Sequence, residues 1–170
     1  MIHLEMIKKI FFTFSLLLVL SVNSYSAGSS DNSNDNSKTK TSYEKAVVLI
    51  KSAKKYEKKD KIKKANKSYE KALKLLIKSN KEKPNNPDTL NYLGFTTRKL
   101  GDYENGEKFY LQGLAIEPNH IGINEYLGEL YVVTNRIDLA KERLKILENC
   151  NCREYDQLRE IIRGIRKSKY

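Results

Sequence analysis

Two stretches of this 170-residue chain match each other at a distance of 34 residues. Leu90-Asn91-Tyr92-Leu93-Gly94 is answered by Asn124-Glu125-Tyr126-Leu127-Gly128, and Gly106 by Ala140. Pro118 closes the first unit, with Cys152 at the matching place of the second. A period this short argues against one large core, because each unit buries its apolar face only by stacking on a neighbour. Two short helices fill 34 residues. The small residues Gly94, Gly106, Gly128 and Ala140 then lie where two backbones approach, and Leu93, Tyr110 and Leu127 fill the space around them. Lys99-Leu100-Gly101-Asp102-Tyr103 puts glycine where the first helix must stop, and Thr134-Asn135-Arg136 offers asparagine at the equivalent turn.

A 34-residue period with Leu-Gly in the first half and small residues at fixed later places resembles the tetratricopeptide repeat (TPR). The resemblance implies an all-α solenoid of about three helix-turn-helix repeats plus a C-terminal capping helix. Residues 87–120 and 121–151 are the two clear units. A degenerate unit over 41–86 places Ala65, Tyr69 and Ala72 in the second helix, with Leu49, Ala53 and Tyr56 in the first. It starts at Ala46, seven residues further from Pro87 than the period allows. Seven residues are close to two helical turns, so its second helix can run on to about Lys83. Asn86-Pro87 then reads as a cap and first helical residue, and Thr41 with Glu44 as a capping box. Residues 152–170 form the cap: Tyr155, Leu158, Ile161, Ile162 and Ile165 make one helical stripe, with Asn151 and Glu154 as its expected N-terminal box.

The amino-terminal segment reads as targeting rather than fold. Lys8-Lys9 precede an apolar run from Ile10 to Val22, and small residues follow in Ser24-Tyr25-Ser26-Ala27. That pattern is a secretory signal peptide over 1–27, too short to span a bilayer, so no stable membrane span is expected after cleavage. Residues 28–40, rich in Ser, Asn and Asp, read as a disordered linker. The chain is expected to be periplasmic or secreted.

Charge is uneven. The formal net charge is +11, yet Lys38 to Lys83 hold 17 lysines against five acidic residues, while Pro87 to Glu154 carry a small negative excess. The basic first repeat suits a weak contact with an anionic envelope surface, or simply a solvated face. Nucleic acid is not an expected partner, since no recognition motif is present and arginine is scarce where charge is densest. Nor is catalysis expected: the two histidines, His3 and His120, fall in the leader and in an inter-repeat turn, and no nucleophile, phosphate-loop or metalloprotease motif occurs. No cofactor or metal is implied.

Cys150-Asn151-Cys152-Arg153-Glu154-Tyr155 resembles the tail of small exported bacterial TPR proteins, in which two nearby cysteines precede Glu-Tyr and an amphipathic helix. In an oxidising compartment the pair reads as a disulfide staple, with thiol–disulfide exchange or soft-metal handling as the alternative function.

For a TPR, the resemblance places function on the concave face, at positions 2, 5, 9, 12 and 13 of each first helix. Those places select Lys54, Asn91, Phe95, Arg98, Lys99, Glu125 and Glu129 as a groove for a protein or peptide, with Phe95 as apolar anchor and Arg98 beside it, neither needed for packing. The five places of the family's clamp for carboxyl termini hold Ile50, Lys54, Tyr92, Gly122 and Tyr126, so that clamp is absent. The reading is a non-catalytic interaction module in a bacterial envelope.

Overall fold

The computed structural model describes residues 40–168. The leader expected over 1–27, and all of the linker expected over 28–40 but Lys40, lie outside the described residues. The described residues belong to one compact unit. Among the described residues there are seven helices: α1 (Ser42–Glu57), α2 (Ile62–Glu82), α3 (Pro87–Lys99), α4 (Tyr103–Ile116), α5 (Ile121–Val133), α6 (Ile137–Ile146) and α7 (Arg153–Ile162). They form three packed pairs, α1 with α2, α3 with α4 and α5 with α6, each resting on the next, and α7 closes the stack.

Local chemistry sets the boundaries. Thr41 Oγ1 accepts from the Glu44 N–H at 3.2 Å and Glu44 Oε2 accepts from the Thr41 N–H at 2.8 Å, the reciprocal box expected for α1. Asn86 Oδ1 caps α3 by accepting from the Thr89 N–H at 2.8 Å, with Pro87 in the first turn. Asp102 caps α4 through the Asn105 N–H at 3.1 Å. The turns after α3 and α5 are made by Gly101 at φ +96° and Asn135 at φ 58°, the left-handed positions that glycine and asparagine tolerate. The second helix of the first repeat does run on, to Glu82.

The core follows the repeat. Ala46, Ala53, Ala65, Tyr69 and Ala72 are buried in the first pair, Leu93 and Tyr110 in the second, Leu127 and Ala140 in the third. Close approach is made by notches into which a large side chain fits. A Cβ on Gly94 would stand 2.5 Å from the Tyr110 ring, and one on Gly106 would stand 3.1 Å from the Gly94 carbonyl oxygen and 3.2 Å from Arg98 Cβ. Within the second repeat, α3 and α4 therefore meet at Gly94 and Gly106.

Gly128 departs from the expectation that it, too, sits where the two helices of its own repeat touch. Its notch is filled by Leu158 of α7, whose side chain a Gly128 Cβ would meet at 2.5 Å. The cap lies more on α5 than on α6 and supplies the large residue that Tyr110 supplies one repeat earlier. The cap itself is shorter than its stripe suggested. It ends at Ile162 because Gly164 adopts φ +72°, so Ile165 drops out of the stripe and is 72% exposed. The expected Asn151–Glu154 box is also corrected. Asn151 is a left-handed turn residue at φ 49°, and Cys152 occupies the cap position without a side-chain hydrogen bond.

These notches predict a paired mutational pattern. Gly128→Leu should cost about 1–3 kcal/mol, the usual effect of overpacking a close contact. In urea melts, adding Leu158→Ala should return part of that loss, whereas adding Leu144→Ala should return none. Relief by Leu144→Ala instead would put Gly128 back against α6.

Candidate interaction surface

The first helices of the three repeats, α1, α3 and α5, bring together side chains that the sequence spaces up to 75 residues apart, from Lys54 to Glu129. Lys54 Nζ lies 4.3 Å above the Phe95 ring and 3.4 Å from the Tyr126 hydroxyl. Phe95 is held between Tyr69 at 6.0 Å and Tyr126 at 5.1 Å, measured between ring centroids. One cation and one aromatic row therefore cross all three repeats, a geometry in which the ammonium is attracted to the ring faces.

Beside this row runs a chain of charges. Tyr69 donates its hydroxyl to Glu57 Oε2 at 2.9 Å, and Glu57 pairs with Lys99, tying the first repeat to the second. Arg98 continues the tie to the third repeat, donating to the Tyr126 carbonyl at 2.6 Å and pairing with Glu129 at 3.4 Å. The side chains of Arg98 and Glu129 are both 0% exposed. Burying two such charges is costly unless they meet each other and further hydrogen-bonding groups, so the pair acts as a geometric pin between repeats.

Lys54, Phe95, Arg98, Lys99 and Glu129, selected from the helical register, take part in these contacts, but their exposure differs from the expectation. Phe95 is buried between two rings, and Arg98 spans to the next repeat, so both take part in packing. Glu125, Glu129 and Asn91 are also buried, and Lys99 is engaged with Glu57. Ile50, at one of the five clamp places, belongs to the core. The reason is repeat-to-repeat proximity: a register argument treats each helix singly, while positions 9, 12 and 13 here meet the neighbouring repeat. Lys54 is half-buried, and Val133 at the end of α5 is exposed.

Burial pushes the Tyr126 hydroxyl above its ordinary range, and the neighbouring Glu125 charge adds to this. Tyr69 is raised likewise, first by burial and then by Glu57. Such hydroxyls stay protonated near neutral pH and act as hydrogen-bond donors rather than as bases.

Other ties had no signal in the sequence. Arg136, in the turn before α6, grips Glu107 of α4 with two hydrogen bonds of 2.9 and 2.6 Å and lies 4.5 Å over the Tyr131 ring. His120 caps α5 through Nδ1, which accepts from the Ile123 N–H at 3.1 Å, and its Nε2 is 3.3 Å from Asp88 Oδ1. Charged residues 29 or 32 apart announce no pairing until the repeats stack. Cys150 and Cys152 are disulfide-bonded, closing a small ring at the start of α7. In that state neither sulfur is a thiolate able to bind a soft metal.

Residues 88–120 match the tetratricopeptide repeat family model. Two solved TPR structures share the fold at 21% identity. The first TPR of Spaghetti (RPAP3), solved bound to the HSP90 peptide SRMEEVD, has a TM-score of 0.51 over 74% of this chain and 96% of its own. The first TPR domain of human RPAP3 has a TM-score of 0.52 over 74% of this chain and 98% of its own. No curated protein sequence matches this chain. The chain therefore carries a tetratricopeptide repeat at 88–120, within an all-α helical repeat solenoid of TPR fold.

The buried pin yields the next prediction. Arg98→Ala leaves Glu129 without its guanidinium and should destabilise by about 3–5 kcal/mol. The double change Arg98→Met/Glu129→Leu, which removes both charges, should recover most of that loss in urea unfolding. A double variant as unstable as the single one would mean that the pair itself is not what Arg98 supports.

Proposed function

We propose that the chain is a non-catalytic interaction module of a bacterial cell envelope, exported by its leader, that binds a protein or peptide along the face built from α1, α3 and α5. The observation that carries this reading is the Lys54–Phe95–Tyr126 arrangement, a cation and aromatic rings aligned across three stacked repeats. A helical or extended peptide laid on such a face would meet the half-buried Lys54 ammonium and Tyr126 ring, seated over the buried Phe95, a cation and an aromatic side by side, which is a combination that anchors interfaces. The HSP90 peptide of the RPAP3 structure is not carried over to this chain. The five places where a carboxylate clamp would put its polar side chains hold Ile50, Lys54, Tyr92, Gly122 and Tyr126.

A second contact surface is favoured by geometry. Lys63, Lys67, Lys71, Lys74, Lys78 and Lys81 of α2 are all exposed. At 3.6 residues per turn they fall within an arc of about 80° along roughly 27 Å of helix. We assign to this stripe the weak contact with an anionic envelope surface, because aligned ammonium groups reinforce one another toward an extended polyanion. Each lysine near an anionic membrane contributes about 1 kcal/mol, so removing two should weaken binding roughly 30-fold. Sedimentation of Lys67→Gln/Lys74→Gln with phosphatidylglycerol vesicles at low salt tests this, and unchanged binding would leave the stripe as solvated surface.

The test of the principal reading is capture from envelope extracts by the chain and by Lys54→Glu/Val133→Glu, two rim changes outside the core. The variant should keep its helicity and lose the partner that the unaltered chain retains. An unchanged capture profile would move binding off this face. Intact-mass analysis of protein from the same envelope fraction should show a terminus between about Tyr25 and Gly28; retention of Met1 or Met6 would overturn the export proposal.

A further inference from the structure

The disulfide between Cys150 and Cys152 is poorly suited to holding the fold. Only Asn151 separates the two cysteines, so the bond closes a loop of three residues. The chain entropy that a disulfide removes from the unfolded state grows with loop length, which puts this bond at the weak end of the scale. The helix beside it is seated by other contacts. Leu158 fills the Gly128 notch, Leu158 and Ile161 are buried, and the Cys150 N–H donates to the Leu147 carbonyl at 3.0 Å. None of these contacts runs through a sulfur.

The bond is instead placed where it can be reached. Both cysteines are half-buried, and Cys152 lines an open depression of about 480 Å³ together with Arg153, Tyr155 and Asp156. Glu148 and Tyr155 belong to this depression and also to a second one that reaches Lys141 and Lys145 of α6. The two make a shallow track along the junction of α6 and α7, and the Arg159 guanidinium lies 5.3 Å over the Tyr155 ring within it. Cys152 also occupies the N-cap of α7, where its side chain makes no capping hydrogen bond. The N–H groups of a first helical turn favour an anion, and a thiolate is stabilised at such a place.

We propose that Cys150–Cys152 is a thiol–disulfide exchange site whose substrate is a dithiol polypeptide, laid along this track and oxidised in one stoichiometric turn. A substrate thiol loses its proton to water, and its thiolate attacks Cys152 Sγ, the sulfur of the cysteine that lines the depression. The bond between the cysteines breaks, and Cys150 leaves with the electron pair and takes a proton from water. The second substrate thiol, deprotonated likewise, attacks the substrate sulfur of the mixed disulfide and expels Cys152. That thiolate departs at the cap of α7, where the first-turn N–H groups receive it before it is protonated. The substrate has lost two electrons and two protons and gained a disulfide, and the chain ends as a dithiol. The site lies on the cap and does not depend on the face built from α1, α3 and α5.

The probe is a reduced synthetic hexapeptide carrying two cysteines, mixed with the oxidised chain under nitrogen. The peptide should be oxidised, with one equivalent of chain consumed, about tenfold faster than by oxidised glutathione at equal disulfide concentration, because the leaving thiolate is stabilised. Reduced glutathione followed by an acid quench should leave its adduct on Cys152 in peptide mapping. Tyr155→Ala should slow oxidation of the peptide while reduction of the pair by dithiothreitol keeps its rate. A peptide rate no faster than that of oxidised glutathione, an adduct on Cys150, or an unchanged peptide rate in Tyr155→Ala overturns the proposal. A Cys150→Ser/Cys152→Ser variant should keep α7 and its melting temperature; a Tm lowered by more than about 5 °C makes the pair a staple and overturns the proposal as well.

Discussion

The stack depends on side-chain volume being missing at a few positions and supplied from a later helix. Gly94 takes the Tyr110 ring, Gly113 takes Ile123, and Gly128 takes Leu158. Each notch lets two helical backbones come closer than side chains would otherwise permit, and each large residue then fills the space. Protein interiors are packed densely enough that an occupied notch leaves little freedom in angle or register. The helices of one repeat, the junction to the next and the seat of the cap are set by the same device. Ile123 in the Gly113 notch joins α4 to α5, which makes the second repeat depend on the third as well as on itself.

Polar ties take over where the notches end. Glu57 with Lys99, Arg98 with Glu129, and Glu107 with Arg136 each cross from one repeat to its neighbour. Their contributions differ with environment. The Arg98–Glu129 pair is fully buried, so its worth lies less in net stability than in the high cost of any arrangement that separates the charges. The Glu107–Arg136 pair is partly exposed, and its bidentate geometry rather than its charge alone makes it directional. A solenoid whose repeats are joined this way presents its inner face as a fixed array.

That rigidity joins the folding argument to the functional one. Lys54, Phe95 and Tyr126 come from three different helices, and they align only because the repeats are held at a set spacing. The same face contains Glu129, which Ser168 reaches from beyond α7. Packing residues and the residues of the proposed binding face are therefore not separate classes here. Arg98 holds the third repeat in place and also fixes the carboxylate that Ser168 meets.

The sequence by itself determined the all-α repeat architecture. A period of 34 residues, glycine and asparagine at the helix ends, and capping residues at Thr41 and Asn86 are local signals, written within a few residues of the feature they produce. The lengthened α2 was legible for the same reason, as a surplus of two helical turns. That Lys54, Phe95, Lys99 and Glu129 belong to the first helices of their repeats was legible from register. Whether they are exposed was not, because burial depends on the neighbouring repeat: Phe95 and Arg98 look like surface groups on an isolated α3 and become packing residues once α1, α2 and α5 surround them. The filling of the Gly128 notch by Leu158, the Glu107–Arg136 grip and the Ser168–Glu129 contact were decided only by tertiary structure. They join residues about 30 to 40 positions apart that no local pattern couples, and only the stacking angle of the repeats brings them within reach.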